Sequence, residues 1–236
     1  MDLTASTLVL FDVDGTLVDC GTAAGKGFSR AFQEAFGVPC PIFPPEEVAG
    51  LTDSAILVEV IRRLNLKCDD LDRRRALAFE IYARNLAREF KLKPAQAIPG
   101  ASRAVQVVQS MRDCGVGLLT GSTEATARIK LESAGIDFGR FVCGAYSEDG
   151  DLRESLPPAA RARFSKIFGQ EPKVTVLIGD TPRDVKAALA TGCEIIGVTT
   201  GQHDRTALEK AGAKVVLNDL TEIVSLRRAI DNARSR

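Results

Sequence analysis

The feature that most narrows the possible folds is a short apolar run, Leu8-Val9-Leu10-Phe11, that passes straight into Asp12-Val13-Asp14-Gly15-Thr16. An apolar run of this length closed by glycine predicts a buried strand with a turn at its end. Strand side chains alternate, so Asp12 and Asp14 leave the strand end toward the same side if the extended geometry persists through Val13. Two carboxylates held that close repel each other and resist desolvation, which a cation or a positive ligand between them would relieve. A pair of this kind can be a metal site, an acid–base pair, or a nucleophile with its proton donor.

Two later runs have the same form. Leu118-Leu119-Thr120-Gly121-Ser122 is an apolar strand ending in a hydroxyl and a glycine, and Val174 to Gly179 is a third, followed by Asp180-Thr181-Pro182-Arg183-Asp184. In an open parallel sheet, ligands bind outside the carboxyl ends of the strands. Asp12, Asp14, Thr120, Asp180 and Asp184 are therefore expected to converge on one crevice.

From Ile98-Pro99-Gly100 onward the chain alternates strand and helix. The pattern predicts a helix from Ala101 to Cys114 stopped by Gly115, the strand to Thr120, and a helix opening at Ser122-Thr123-Glu124 and ending near Gly135. A short strand from Phe141 to Ala145 and a helix from Pro157-Pro158 to Gly169 follow. After the strand to Asp180 come a helix from Pro182 to Gly192, a strand from Ile195 to Val198, a short helix before Gly212, a strand from Val215 to Leu217, and a last helix from about Thr221. This alternation predicts a mostly parallel, Rossmann-like α/β sheet with helices on both faces.

The stretch from 19 to 98 is different, because its signals are helical and nothing in it reads as a strand. Phe28, Phe32 and Phe36 recur at helical spacing up to Gly37, and Pro45-Glu46-Glu47 reads as a first helical turn. Thr52-Asp53-Ser54 offers N-caps for a helix with Ile56, Leu57, Val60, Ile61 and Leu64 on its apolar face, and Asp69-Asp70 opens a longer one carrying Arg73-Arg74-Arg75 on a solvated face. Core strands stand before and after it. Residues 1–18 and 99–236 thus form one domain, and 19–98 a helical insertion.

Composition removes several classes of function. The 236 residues, 45% hydrophobic, suffice for a sizeable core, and 31 basic against 31 acidic residues leave no global field to favour nucleic acid or an anionic membrane. Met1-Asp2-Leu3-Thr4 shows no leader, and no run approaches the ~20 apolar residues of a membrane span, so a cytoplasmic protein is expected. The six cysteines form no Cys-x-x-Cys pair and read as free thiols. His203, the single histidine, reads as part of a solvated loop, and one histidine cannot build an imidazole zinc site.

Asp-x-Asp-Gly-Thr at 12–16, strand-Thr-Gly at 120–121 and Gly-Asp-x-x-x-Asp at 179–184 stand in the order found in haloacid dehalogenase-like (HAD) hydrolases, which the chain resembles over nearly its whole length. The resemblance implies a helical cap over the active site at 19–98. It makes Asp12 the nucleophile that forms an aspartyl-phosphate and Asp14 the acid and then base, with a backbone carbonyl for Mg²⁺. Oxygen donors dominate the crevice, so Mg²⁺ is the expected metal, on Asp12, Asp14, Asp180 and Asp184. An alternative for Asp180 and Asp184 is that they cap the helix that follows. Thr120 would hold the transferring phosphoryl group, and the amides of Gly121 and Ser122, at a helix start, suit an anion.

One departure concerns the lysine that the family places after the third strand to neutralise phosphate. Ser147 to Pro158 contains none. Arg153 is the expected replacement. Lys130, on the helix after Thr120, is the alternative substrate-binding cation, although its place about two turns down that helix carries it away from the phosphate, and Arg183 is a third possibility. The expected activity is hydrolysis of a small phosphorylated metabolite, with a phosphomutase as the alternative. A 2-haloacid dehalogenase is disfavoured by Asp14, and a non-catalytic phosphate-binding protein by the complete set of aspartates. The oligomeric state is not legible.

Overall fold

The computed structural model describes residues 5–235; residues 1–4, where the absence of a leader was read, and Arg236 lie outside the described residues. In chain order the elements are β1 (Thr7–Phe11), β2 (Val18–Asp19), α1 (Ala23–Phe36), α2 (Pro45–Val48), α3 (Asp53–Arg63), α4 (Leu71–Leu92) and β3 (Gln96–Ala97). They continue as α5 (Ala101–Ser110), β4 (Cys114–Leu119), α6 (Glu124–Ser133), β5 (Cys143–Ala145), α7 (Leu156–Phe168), β6 (Val174–Gly179), α8 (Pro182–Ala190), β7 (Glu194–Val198), α9 (Arg205–Ala211), β8 (Val215–Leu217) and α10 (Ile223–Arg234).

Six strands form a parallel sheet in the order β5-β4-β1-β6-β7-β8. The first strand is central, with Phe11 level with Leu118 on one side and Ile178 on the other. That register brings the ends of β1, β4 and β6 side by side. Alternation sorts the core into two layers, since Val9 and Phe11 pack with Val105, Val116, Ile178, Leu226 and Ile230 on one face. Leu8 and Leu10 pack with Leu156, Phe164, Leu177, Val185 and Leu208 on the other. Helices thus cover both faces of a Rossmann-like sheet, as the alternating pattern requires.

Two expectations fail locally. The helix expected to reach Cys114 stops at Ser110, and Asp113, in the left-handed region at φ 60°, makes the turn. Gly115 stops nothing: it lies in β4 opposite Leu8, where a Cβ would come within 2.8 Å of the Phe164 ring. Its missing side chain lets α7 approach the sheet closely. Within the stretch read as free of strands, Gln96–Ala97 pairs antiparallel with Val18–Asp19. Two residues are too few to show any periodicity, yet they close a neck where the insertion leaves the core and returns.

Between the two halves of that neck lie α1 to α4. Helices α1 and α4 pack against each other through Phe28 and Tyr82, edge to face at 5.7 Å, while Gly37 caps α1 in the left-handed conformation. Thr52 caps α3 by accepting from the Ala55 amide at 3.0 Å. Arg74 and Arg75 pair with Asp70 and Asp72 on the exposed side of α4. Among the described residues no helix is long and apolar enough to cross a membrane.

Candidate active site

Asp12 continues β1 by one residue, its amide donating to the Ile178 carbonyl at 2.9 Å, and the residue is only 3% exposed. Gly15 then turns the chain with φ 80° and passes so close to Asp180 that a Cβ would meet its carboxylate at 2.5 Å. Thr16 Oγ1 donates to Asp180 Oδ1 at 2.8 Å. On the other strand end, Thr181, and not Asp180, is the N-cap of α8. Asp184 completes a capping box there, its Oδ2 accepting from the Thr181 amide at 3.0 Å and hydroxyl at 2.6 Å. The capping alternative therefore describes half of Asp184 and nothing of Asp180.

The remaining oxygens face one another. One carboxylate oxygen from each of Asp12, Asp180 and Asp184 lies within 4.8 Å of the others, all in buried residues. The buried guanidinium of Arg153 stands against them: Nη2 lies 2.9 Å from Asp12 Oδ1 and 2.6 Å from Asp184 Oδ1, and Nε donates to Asp184 Oδ1 at 2.8 Å. The Asp12 contact lacks hydrogen-bond alignment, so Asp12 Oδ1 is buried without a donor among the described residues. Burial pushes Asp12 up to about 7, with Arg153 opposing and Asp184 and Asp14 adding to the rise. Burial, then Asp12 and Asp184, drive Asp180 well above the carboxylate range. Three buried carboxylates stand together, only two of them are paired with the one guanidinium, and an oxygen lacks a donor among the described residues. That set fits a hard divalent cation.

Asp14 turns away from this group. Its Oδ2 accepts from Lys130 Nζ at 2.6 Å and from Ser122 Oγ at 3.0 Å, and Lys130 Nζ also donates to Ser122 Oγ at 2.7 Å. Burial acts to raise the Asp14 pKa, but the charge and hydrogen bond of Lys130, with Ser122, outweigh it and hold the carboxyl below its ordinary value. Lys130, the alternative cation, was expected to be carried away from the phosphate. It joins Asp14 and, among the described residues, pairs with none of the three clustered carboxylates. It sits on the buried face of α6 beside Thr126, Ala127 and Leu131. Helical side chains lean toward the N-terminus, so a long lysine recovers most of the rise that separates it from the strand end.

Thr120 is buried at the end of β4, and its Oγ1 accepts from the Ser122 amide at 3.2 Å. That amide was expected to be open to an anion, whereas α6 opens within Ser122-Thr123-Glu124 as expected. Thr123 is the actual N-cap, and the Glu124 amide is taken by the Glu148 carboxylate at 3.1 Å. At Gly121 a Cβ would come within 2.1 Å of the Leu51 carbonyl, so glycine is required by the approach of the insertion.

The insertion touches this end of the sheet through the loop before α3 and the start of that helix. Asp53 N donates to Gly121 O at 2.7 Å, Thr123 N donates to Asp53 Oδ2 at 3.1 Å, and Ser54 N donates to Ser147 Oγ at 2.8 Å. Thr52 Oγ1 donates to Asp151 O at 2.9 Å, and Arg153 Nη1 to Gly50 O at 3.2 Å. Burial pushes Asp53 up to about 6.

The family model for haloacid dehalogenase-like hydrolases matches residues 7–192, which include every strand end just described. The chain belongs to that family. Among its relatives, 2-deoxyglucose-6-phosphate phosphatase 1 of Saccharomyces cerevisiae is 27% identical, covering 93% of this chain and 90% of its own. A phosphoglycolate phosphatase of Chromobacterium violaceum is 26% identical over 97% and 99%. A β-phosphoglucomutase structure from Clostridium difficile shares the fold, with a TM-score of 0.72, 18% identity, and 98% and 100% coverage. The chain is accordingly an enzyme, a HAD-like hydrolase whose relatives are named phosphatases.

Two further residues of this HAD-like hydrolase lie elsewhere than expected. Arg183 points to the insertion, donating to the carbonyls of Ala49 and Glu47, and joins no carboxylate of the cluster. His203 is half-buried, with Nε2 enclosed and lacking a partner among the described residues, where a solvated loop was expected. The loop that carries it matters through Gly201, where a Cβ would stand 1.7 Å from Asp180 Oδ2. A glycine just beyond a strand end was the available signal for it, and the Gly50 to Ser54 stretch gave none beyond helix capping.

Proposed function

We propose that this HAD-like hydrolase is a Mg²⁺-dependent phosphatase that cleaves small phosphomonoesters through an aspartyl-phosphate on Asp12. The observation that carries the reading is the separation of the two strand-end carboxylates. Asp12 lies in an acidic cluster with Arg153, while Asp14 is held apart by Lys130. In the first step an Asp12 oxygen forms a bond to phosphorus as the ester P–O bond breaks. Asp14 supplies the proton that the departing oxygen takes up with its electron pair. In the second step Asp14 takes a proton from the water that attacks the aspartyl-phosphate, releasing phosphate and restoring Asp12.

Arg153 meets the nonbridging oxygens with its fork, and Thr120 donates to one of them. The side chains of Asp12, Asp180 and Asp184, with the backbone carbonyl of Asp14, would hold Mg²⁺, which when bound supplies positive charge against the phosphoryl oxygens. Residues 19–98 act as the cap that excludes water and recognises the leaving group. The substrate belongs among the phosphorylated metabolites for which the relatives are named, such as phosphoglycolate or 2-deoxyglucose 6-phosphate, in the cytoplasm. Relatives of nearly full length that are named phosphatases favour hydrolysis over phosphoryl return to a sugar.

The test is release of inorganic phosphate from a panel of phosphomonoesters, with 2-chloropropionate in parallel, before and after chelation. Phosphate release that stops in chelator and returns with Mg²⁺ better than with Ca²⁺ is expected. Full activity in chelator, or halide release in place of phosphate release, overturns the reading.

A further inference from the structure

We infer that Lys130 is a positioning residue for proton transfer at Asp14, an ammonium set beneath the site that orients the carboxyl toward the departing oxygen. The inference rests on the phosphatase reading above and adds to it a residue that acts through another.

Burial is the first observation. Lys130 is 2% exposed and shares its helix face with Thr126, Ala127 and Leu131. A methionine of similar length would fill that space with no charge to desolvate, so what the ammonium adds over packing is its pairing with the Asp14 carboxylate. The ammonium is therefore a poor choice for packing alone.

Connectivity is the second. Lys130 Nζ, Ser122 Oγ and Asp14 Oδ2 close a triangle with sides of 2.6, 2.7 and 3.0 Å. Both donors land on the same oxygen, Oδ2, and the Cys20 thiol adds a further hydrogen bond to the carboxyl. The Lys130 side chain is 3% exposed and that of Asp14 42%, so the carboxyl is anchored on the protein side and open on the other.

The third observation separates Lys130 from the phosphate-neutralising role. Among the described residues Lys130 pairs with Asp14, whereas Arg153 pairs with Asp12 and Asp184. Two buried cations serve the two ends of the reaction. Arg153 faces the atoms that attack, and Lys130 orients the group that protonates what leaves. When the P–O bond breaks, its electron pair stays on the ester oxygen and the Asp14 proton neutralises it. An alkoxide depends strongly on that proton, and a nitrophenolate barely needs it.

The test is rapid-quench measurement of the first phosphoryl transfer, which excludes the later hydrolysis step, in wild type, Lys130→Met and Ser122→Ala. The probes are 4-nitrophenyl phosphate and whichever of 2-deoxyglucose 6-phosphate and phosphoglycolate the wild type uses faster. Lys130→Met is expected to slow transfer from the alkyl ester about 100-fold and from the aryl ester less than about 5-fold. Ser122→Ala should show the same selectivity at about 10-fold against about 2-fold, and it keeps the test decisive if Lys130→Met fails to fold. Equal losses on both esters, or none on either, overturn the positioning role. A wild type that never carries phosphate on Asp12 overturns the phosphatase reading beneath it.

Discussion

At the residue scale, the site depends on which buried charge faces which. Arg153 has its fork on Asp12 and Asp184, so it is placed to follow a phosphoryl group that arrives at Asp12. Stabilising transition-state charge with one such donor is typically worth about 3 kcal/mol, and Arg153→Ala is expected to lower kcat about 100-fold or more. Steady-state kinetics with added Mg²⁺ would check this; a change within about threefold would remove Arg153 from phosphoryl stabilisation. The strand-end aspartates were legible in the chain because each directly follows an apolar run, and a parallel sheet brings such ends together. Lys130 was not. Its distance along α6 suggested separation, and only the lean of its side chain and the burial of its helix face return it to Asp14.

At the element scale, the start of α3 joins the insertion to the core through backbone groups, and Asp53 is the buried carboxyl at that junction. Burial raises its pKa from 3.8 to about 6, against Lys130 and the Thr123 amide, with Asp14 and Glu148 adding to the rise. The fold thus binds this proton more tightly than the unfolded chain does. Its contribution to stability is fully present below the unfolded pKa and is lost as pH rises through about 6. Asp53→Asn keeps an oxygen for the Thr123 amide and carries no charge. Relative to wild type it should gain on the order of 2 kcal/mol between acidic and neutral pH, seen in urea unfolding at both ends of that window. A difference that does not change with pH would contradict the assignment. Elements such as α1 and α8 were legible from caps and stops. The Gln96–Ala97 neck and the use of Gly115 were not, because each answers to a partner distant in sequence.

At the scale of the whole molecule, the parallel sheet supplies a fixed row of strand ends, and the helical insertion returns through a two-strand neck to lie against them. The close backbone approaches at Gly15, Gly121 and Gly201 belong to this scale, since each admits another segment within a distance that any side chain would block. Every step of the proposed reaction turns on phosphate passing through Asp12. The most direct measurement is therefore acid quench during turnover with labelled substrate, followed by peptide mapping of the labelled, hydroxylamine-sensitive protein in wild type and Asp12→Asn. Label confined to the peptide containing Asp12 in wild type, and absent from a folded Asp12→Asn that releases no phosphate, is the predicted result. Turnover without a labelled protein, label on another residue, or phosphate release by Asp12→Asn above about a hundredth of the wild-type rate would contradict it.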